Sequence, residues 1–192
     1  MPFLARSGSF CVMGKRYPNL SPELIDFIAA QKLFFVATAA AEGRINLSPK
    51  GLDTFRVLSP SQVLWLNLTG SGNETATHLR EDGRITILFC AFDDPPRIVR
   101  LFGRGRAIHP RDSEWVALSR LFPPFAGARQ LIDVSVDLVT TSCGFGVPFL
   151  RHERDRPTLP QWAEAKGQEG IRRYWHEKNA RTLDGKPTGI EP

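Results

Sequence analysis

The run Gly70-Ser71-Gly72-Asn73-Glu74-Thr75-Ala76-Thr77 joins an apolar segment, Val63 to Leu68, to residues that read as a helix start. Glycines let the backbone turn tightly, and the first N–H groups of a helix point outward, unpaired, at its positive dipole end, which suits a phosphate. Ser71, Asn73, Thr75 and Thr77 add side-chain donors. Asn and Ser also cap helices, so the loop by itself admits both an anion site and a plain cap. Two further donor rows accompany it. Arg44, Asn46, Ser48 and Lys50 share one face of an alternating segment whose Ile45 and Leu47 are expected to face a core. Arg100, Arg104 and Arg106 alternate with Val99, Leu101, Gly103, Gly105 and Ala107.

Several chemistries lack their residues. Neither Gly8-Ser9-Phe10 nor Gly70-Ser71-Gly72 makes a nucleophile elbow. His78, His109, His152 and His176 have no metal-ligand spacing, and Cys11, Cys90 and Cys143 form no CxxC pair or Cys/His cluster, which predicts reduced thiols and no zinc. No Walker or dinucleotide fingerprint occurs. Donors without an acid–base pair suit a cofactor that carries its own reactive centre and asks the protein for grip, orientation and electronic tuning. A flavin makes that demand. Its phosphate would take the helix start and basic side chains, its ring would take strand-face donors, and Trp65 or Phe145 would cover apolar ring surface.

The elements that must position these residues are mostly strands. Ser21-Pro22-Glu23 caps a short helix through Ile28, and Leu33 to Ala39 is a buried strand turned back by Ala41-Glu42-Gly43 into Arg44 to Lys50. Thr54 to Leu58, Val63 to Leu68, Arg84 to Cys90, Arg97 to His109 and Leu131 to Thr141 continue as strands, with helices expected over about Asn73 to Glu81 and Pro110 to Leu121. The small inward residues of Arg97 to His109 suit a tight barrel. Leu159 to Lys178 carries Trp162, Ala163, Ala165, Ile171, Tyr174 and Trp175 at helical spacing. The expectation is an α+β protein: an antiparallel split β-barrel over residues 1–146 and a C-terminal helical extension over 147–192 that packs on the barrel or on a second subunit.

The 192 residues, 42% of them hydrophobic, suffice for one domain with a core. Met1 to Gly14 does not read as a secretory signal and no apolar run reaches the ~18 residues of a membrane span, so a cytoplasmic protein without membrane attachment is expected. A net charge of +5 fits an anionic ligand. The basic residues are interspersed with acids, which leaves nucleic-acid binding through the Arg100/Arg104/Arg106 face the weakest alternative.

The ordered series resembles the pyridoxamine 5′-phosphate oxidase-like, FMN-binding split-barrel family. It is carried by Phe34 to Thr38 followed by Gly43 to Gly51, by the strand, Gly-Ser loop and helix from Trp65 to Leu79, by Arg84 to Phe89, and by Val99 to Ala107. Ser142 to Pro148, Trp162-Ala163-Glu164 and Lys178 to Gly185 look like a subgroup with its own C-terminal extension. The resemblance implies a homodimer with FMN at the interface and a small-molecule electron donor. It implies that Ser48, Pro49, Lys50 and Gly51 line the flavin ring, with Trp65 and Leu66 on the next lining strand. Asn73, Glu74 and Thr75 fall on the phosphate loop, and Arg100 on a strand facing the cofactor. Two departures stand out. True oxidases carry an Arg-Lys pair where this chain has Glu74-Thr75, leaving the phosphate to Asn73, Thr75, backbone N–H groups and Arg44 or Lys50; and Asp184 to Gly189 lacks their substrate-phosphate arginine motif. The implied function is an FMN-dependent oxidoreductase that does not act on vitamin B6 phosphates, the alternative being a carrier that holds flavin or haem without turnover.

Overall fold

Ser21 caps the first helix, α1 (Pro22–Ala30): its side chain accepts from the Leu24 N–H at 3.3 Å and Pro22 occupies the first turn, so the capping signal in the sequence is used as written. The computed structural model describes residues 14–190, so Cys11, Gly8-Ser9-Phe10 and nearly all of the expected N-terminal arm lie outside it. The strands are β1 (Arg16–Tyr17), β2 (Phe34–Thr38), β3 (Asn46–Lys50), β4 (Phe55–Ser59), β5 (Gln62–Leu68), β6 (Arg84–Cys90), β7 (Ile98–Ile108) and β8 (Ala128–Ser142). They form one eight-stranded antiparallel sheet in the order β3-β2-β6-β7-β8-β5-β4, with β1 added to the far half of β8. β3 and β4 are the two ends of this path and do not pair with each other, so the curled sheet stays open. The split-barrel expectation holds, with β1 as an eighth strand that its two-residue length hid from the sequence.

The main core lies inside the curl, built on Phe34, Val36, Trp65, Ile87, Phe89, Val99, Leu101, Ile132 and Val139, with Leu24 and Ile28 of α1 packed against it. Phe34, Phe55 and Phe89 meet at centroid distances of 5.0–5.6 Å. Gly103 marks the closest approach in the sheet: a Cβ there would stand 2.0 Å from the Ser135 carbonyl oxygen. A bulge beside it pairs Phe102 with Leu138 but Gly103 with Val136. The extra residue, Asp137, reverses the alternation of β8, so Val139 enters the core and Leu138 turns outward, although the strict alternation of Ile132, Val134, Val136 and Leu138 in the sequence sets all four on one face.

Two other expectations are corrected. The helix predicted from Pro110 to Leu121 shortens to α3 (Trp115–Ser119), because Asp112 closes a turn on His109 instead, its carboxylate accepting from the His109 N–H at 2.8 Å. The alternation of β3 is present but inverted. Register sets Asn46, Ser48 and Lys50 opposite Thr38, Val36 and Phe34, whose side chains face inward, while Ile45 and Leu47 are 77% and 67% exposed. The inside of this end of the sheet is polar, and it is polar because it holds the candidate site.

After β8 the chain crosses to α4 (Thr158–Tyr174), broken at Gly167 (φ 65°), and ends in a π-helical turn, Trp175–Asn179. Ala163, Ile171 and Trp175 form their own buried cluster with Ile190. Ala165, expected on that face, is exposed, because two residues carry it about 200° around the helix from buried Ala163. Among the described residues no helix is long and apolar enough to cross a membrane, and no three His, Cys, Asp or Glu side chains converge as metal ligands.

Candidate functional site

The loop that opens the sequence argument runs from the end of β5 into α2 (Glu74–Glu81). Asn73 occupies the N-cap position, yet its side chain makes no capping bond; it is 2% exposed, and neither Oδ1 nor Nδ2 has a partner among the described residues. Burying an amide with nothing to bond costs on the order of 1–3 kcal/mol. A plain cap would bond the helix, so this side chain is placed for something other than capping.

Arg129, on β8, lies beneath the loop. It is 3% exposed, and its guanidinium donates to the Gly72 carbonyl at 3.0 Å and to Asn179 Oδ1 at 2.7 Å, while Nε is buried without a partner. Burial is the largest influence on it and pulls its pKa down to about 10, opposed by the charges of Glu74 and Tyr174. Asn179, fully buried in the π-helical turn, also donates to the Gly70 carbonyl at 3.0 Å. Trp175 Nε1 donates to Thr69 Oγ1 at 2.8 Å, and Thr69 donates onward to the Gly127 carbonyl. The extension thus grips the loop at Thr69, Gly70 and, through Arg129, Gly72.

Lys50, on β3, faces the same region. Its Nζ stands 5.0 Å from the centroid of the Trp65 ring, and burial, then the charge of Arg129, lowers its pKa to about 8 against the opposing pull of Glu74. Because the folded chain holds this proton more weakly than the unfolded chain, stability should rise as pH climbs from about 8 towards 10.5, where the unfolded lysine titrates. Denaturant melts at about pH 7.5 and 9.5 should show a gain in wild type that Lys50→Met lacks; equal pH responses would mean that Lys50 is not desolvated.

Pro49, Lys50, Gly51, Trp65 and Leu66 all border one cleft of about 1110 Å³, roofed by residues 150–162 of the extension. Asn46, Ser48, Asn73, Glu74 and Thr75 gather at the neighbouring end of β3 and α2. Asn46 Nδ2 donates to Thr75 Oγ1 at 3.1 Å, the Glu74 carboxylate accepts from the Leu183 N–H at 3.3 Å, and Ser48 Oγ is buried without a partner. Arg44 stands apart, 72% exposed at its side chain and ion-paired with Asp184. Arg100 lies on the outer face of the sheet, bonded to Ser142 Oγ at 3.1 Å in the same cross-strand row as Pro49, Phe35 and Leu88. Its row-mates are committed elsewhere: Arg106 to Glu114 and Asp133, Arg104 to the Asp82 carbonyl. Trp65 is 1% exposed beneath Lys50 and belongs to the core, and Phe145 is 65% exposed.

A half-buried lysine and a buried arginine, unpaired amide and hydroxyl groups and a glycine loop at a helix start make a site for an anion beside a large cleft. The signature of pyridoxamine 5′-phosphate oxidase matches residues 20–143, which span every strand from β2 to β8. The chain belongs to the pyridoxamine 5′-phosphate oxidase family. Within that family, UstO of Aspergillus flavus is 42% identical over 189 residues, covering 89% of this chain and 76% of the relative. The fold matches a candidate pyridoxamine 5′-phosphate oxidase of Lactobacillus delbrueckii with a TM-score of 0.53 at 19% identity, over 66% of this chain and 98% of that one. It also matches HupZ of Group A Streptococcus, with a TM-score of 0.50 at 19% identity, over 62% and 91%. In this member of the pyridoxamine 5′-phosphate oxidase family, the site has a feature that the sequence concealed. The cation nearest the loop comes from β8, as Arg129, and the residue that holds it comes from the extension, as Asn179.

Proposed function

We propose that the chain binds FMN with its phosphate in the Gly70–Thr75 loop and acts as an oxidoreductase on a small-molecule electron donor other than a vitamin B6 phosphate. The observation that carries the phosphate is the buried, unpartnered Asn73 amide beside the unpartnered Nε of Arg129. These donors fit a phosphate ester: one charged N–H, one amide N–H, the Ser48 and Thr75 hydroxyls and the first N–H groups of α2. When bound, FMN would supply two-electron redox chemistry, which this donor set cannot perform alone. Lys50 would hold positive charge over the cleft, where negative charge develops on a reduced ring, and the apolar walls of the cleft would exclude water.

Glu74 opposes this arrangement, since it sets a carboxylate among the cations that would hold the phosphate. Glu74→Gln keeps the acceptor for the Leu183 N–H while removing the charge, and should tighten FMN binding roughly fivefold. Unchanged or weaker affinity by fluorescence titration would place the phosphate elsewhere.

Exclusion of vitamin B6 phosphates rests on the tail. Lys186 is paired with Glu81 at 2.7 Å and Arg181 donates to the Gly185 carbonyl at 2.7 Å, so the cations of this segment are occupied. A homodimer is part of the same proposal: Ile45, Leu47 and Leu183 are exposed, and Phe35, Leu88, Phe102 and Leu138 make a half-buried apolar outer face that a second copy would cover. A cytoplasmic setting completes it. Anaerobic mixing of the FMN-loaded protein with nicotinamide donors and with pyridoxamine 5′-phosphate tests the activity. Bleaching of flavin absorbance by a nicotinamide donor alone is expected; bleaching by pyridoxamine 5′-phosphate, or by neither, contradicts it.

A further inference from the structure

Behind the loop lies a polar chain that reaches it from inside the sheet. Asn46 Nδ2 donates to Thr38 Oγ1 at 3.3 Å and to Thr75 Oγ1 at 3.1 Å, and Thr38 Oγ1 lies 3.1 Å from Nδ1 of His78. Thr38, Thr75 and His78 are 3%, 5% and 3% exposed, so water has little part in their bonding. The Asn46 amide sets the direction at both threonines. Both amide hydrogens of Asn46 are given away, one to each threonine oxygen. Thr38 Oγ1, having accepted one, also bonds His78 Nδ1, and that contact holds the hydroxyl in place beneath Asn46. Thr75 also accepts from Asn46, yet among the described residues it donates to nothing. Its hydroxyl hydrogen is therefore the one left over. Thr75 sits in the first turn of α2, two residues from the unpartnered Asn73 side chain.

We propose that Asn46, Thr38 and His78 are positioning residues that set the polarity of the Thr75 hydroxyl, holding it as a committed donor toward a phosphate in the loop. The proposal rests on the FMN reading above and goes beyond it, because it assigns a function to three side chains that do not themselves touch the cofactor. A hydroxyl is ordinarily free to donate or accept, and toward a phosphate it is useful only as a donor. With the Asn46 N–H filling one lone pair from behind, the Thr75 oxygen is oriented so that its hydrogen is left for the loop before the ligand arrives. The arrangement also explains why β3 turns its polar face inward and leaves Ile45 and Leu47 outside: Asn46 must reach both threonines.

The decisive experiment reverses the polarity at Asn46. In Asn46→Asp the carboxylate accepts from both threonines and draws the Thr75 hydrogen away from the loop. FMN and riboflavin, which differ by the phosphate, are titrated against wild type, Asn46→Asp, Thr75→Val, Thr75→Ser and the Asn46→Asp/Thr75→Val pair. Wild type should prefer FMN, Thr75→Ser should keep that preference, and Asn46→Asp and Thr75→Val should each lose about tenfold in FMN affinity with riboflavin affinity unmoved. In the double variant Asn46→Asp should add less than about twofold, because its effect passes through a hydroxyl already gone. A full further tenfold loss in the double variant would overturn the proposal in favour of simple charge repulsion. Equal losses for FMN and riboflavin would overturn it in favour of a structural role, as would an Asn46→Asp chain that no longer folds while the uncharged Asn46→Ala keeps full FMN preference. Wild type that binds FMN no better than riboflavin would instead refute the underlying placement of the phosphate.

Discussion

Arg129→Met should lower FMN affinity about 100-fold while shifting the melting temperature by only a few degrees. A charge-assisted hydrogen bond contributes roughly 1.5–3 kcal/mol, and here a desolvated cation with an unused N–H stands at the only buried guanidinium beside the loop among the described residues. Folding stability is another matter. The substitution strips donors from the Gly72 carbonyl and Asn179 Oδ1, which destabilises, but it also relieves the burial that already weakens the hold of Arg129 on its proton. Removing the desolvation cost of this buried guanidinium offsets part of that loss. Arg129→Lys would retain the charge without the planar fork and should recover part of the affinity. Fluorescence titration beside a thermal melt separates the two quantities. A collapse in stability with affinity unaltered would make Arg129 a strut of the sheet.

The second large effect is expected from a residue far along the chain. Asn179→Leu removes a fully buried side chain that accepts from Arg129 and donates to the Gly70 carbonyl, leaving both partners unsatisfied at a combined cost of roughly 2–4 kcal/mol. Its backbone carbonyl accepts from Thr188 Oγ1 at 2.6 Å, a bond that the substitution leaves alone, so the end of the extension should stay attached. Denaturant melts should record the stability loss, and FMN affinity should fall about tenfold as Arg129 loses its anchor and the Gly70 carbonyl its donor. A melt and a titration both indistinguishable from wild type would mean that the extension packs on the loop without shaping it.

These two residues also mark where the sequence stops being readable. The Ser21 cap, β6 at Arg84 to Cys90, the glycine loop and its helix all rest on local signals, and local signals survive into the fold. Arg129 and Asn179 are 50 residues apart and meet only because β8 passes beneath the loop and α4 returns across it. Arg129 precedes the alternating part of its strand, so nothing near it distinguished a buried cation from a solvated one. Asn179 was hidden by a π-helical turn that brings Trp175 and Asn179 inward together. The inversion of β3 has a similar origin: alternation tells which residues share a face, and only the register against Phe34, Val36 and Thr38 tells which face is inside. Arg44, a basic residue of the donor row, is ion-paired with Asp184, 140 residues away, a partner that no local signal discloses.

Titration of the purified protein with FMN and with riboflavin, followed by quenching of flavin fluorescence, tests the central idea most directly. Saturable binding of one FMN per chain, much tighter than riboflavin and with the difference erased in Arg129→Met, is the result expected of a phosphate held by the loop, Asn73 and Arg129. Absence of saturable FMN binding, or equal affinity for the two flavins, would contradict it.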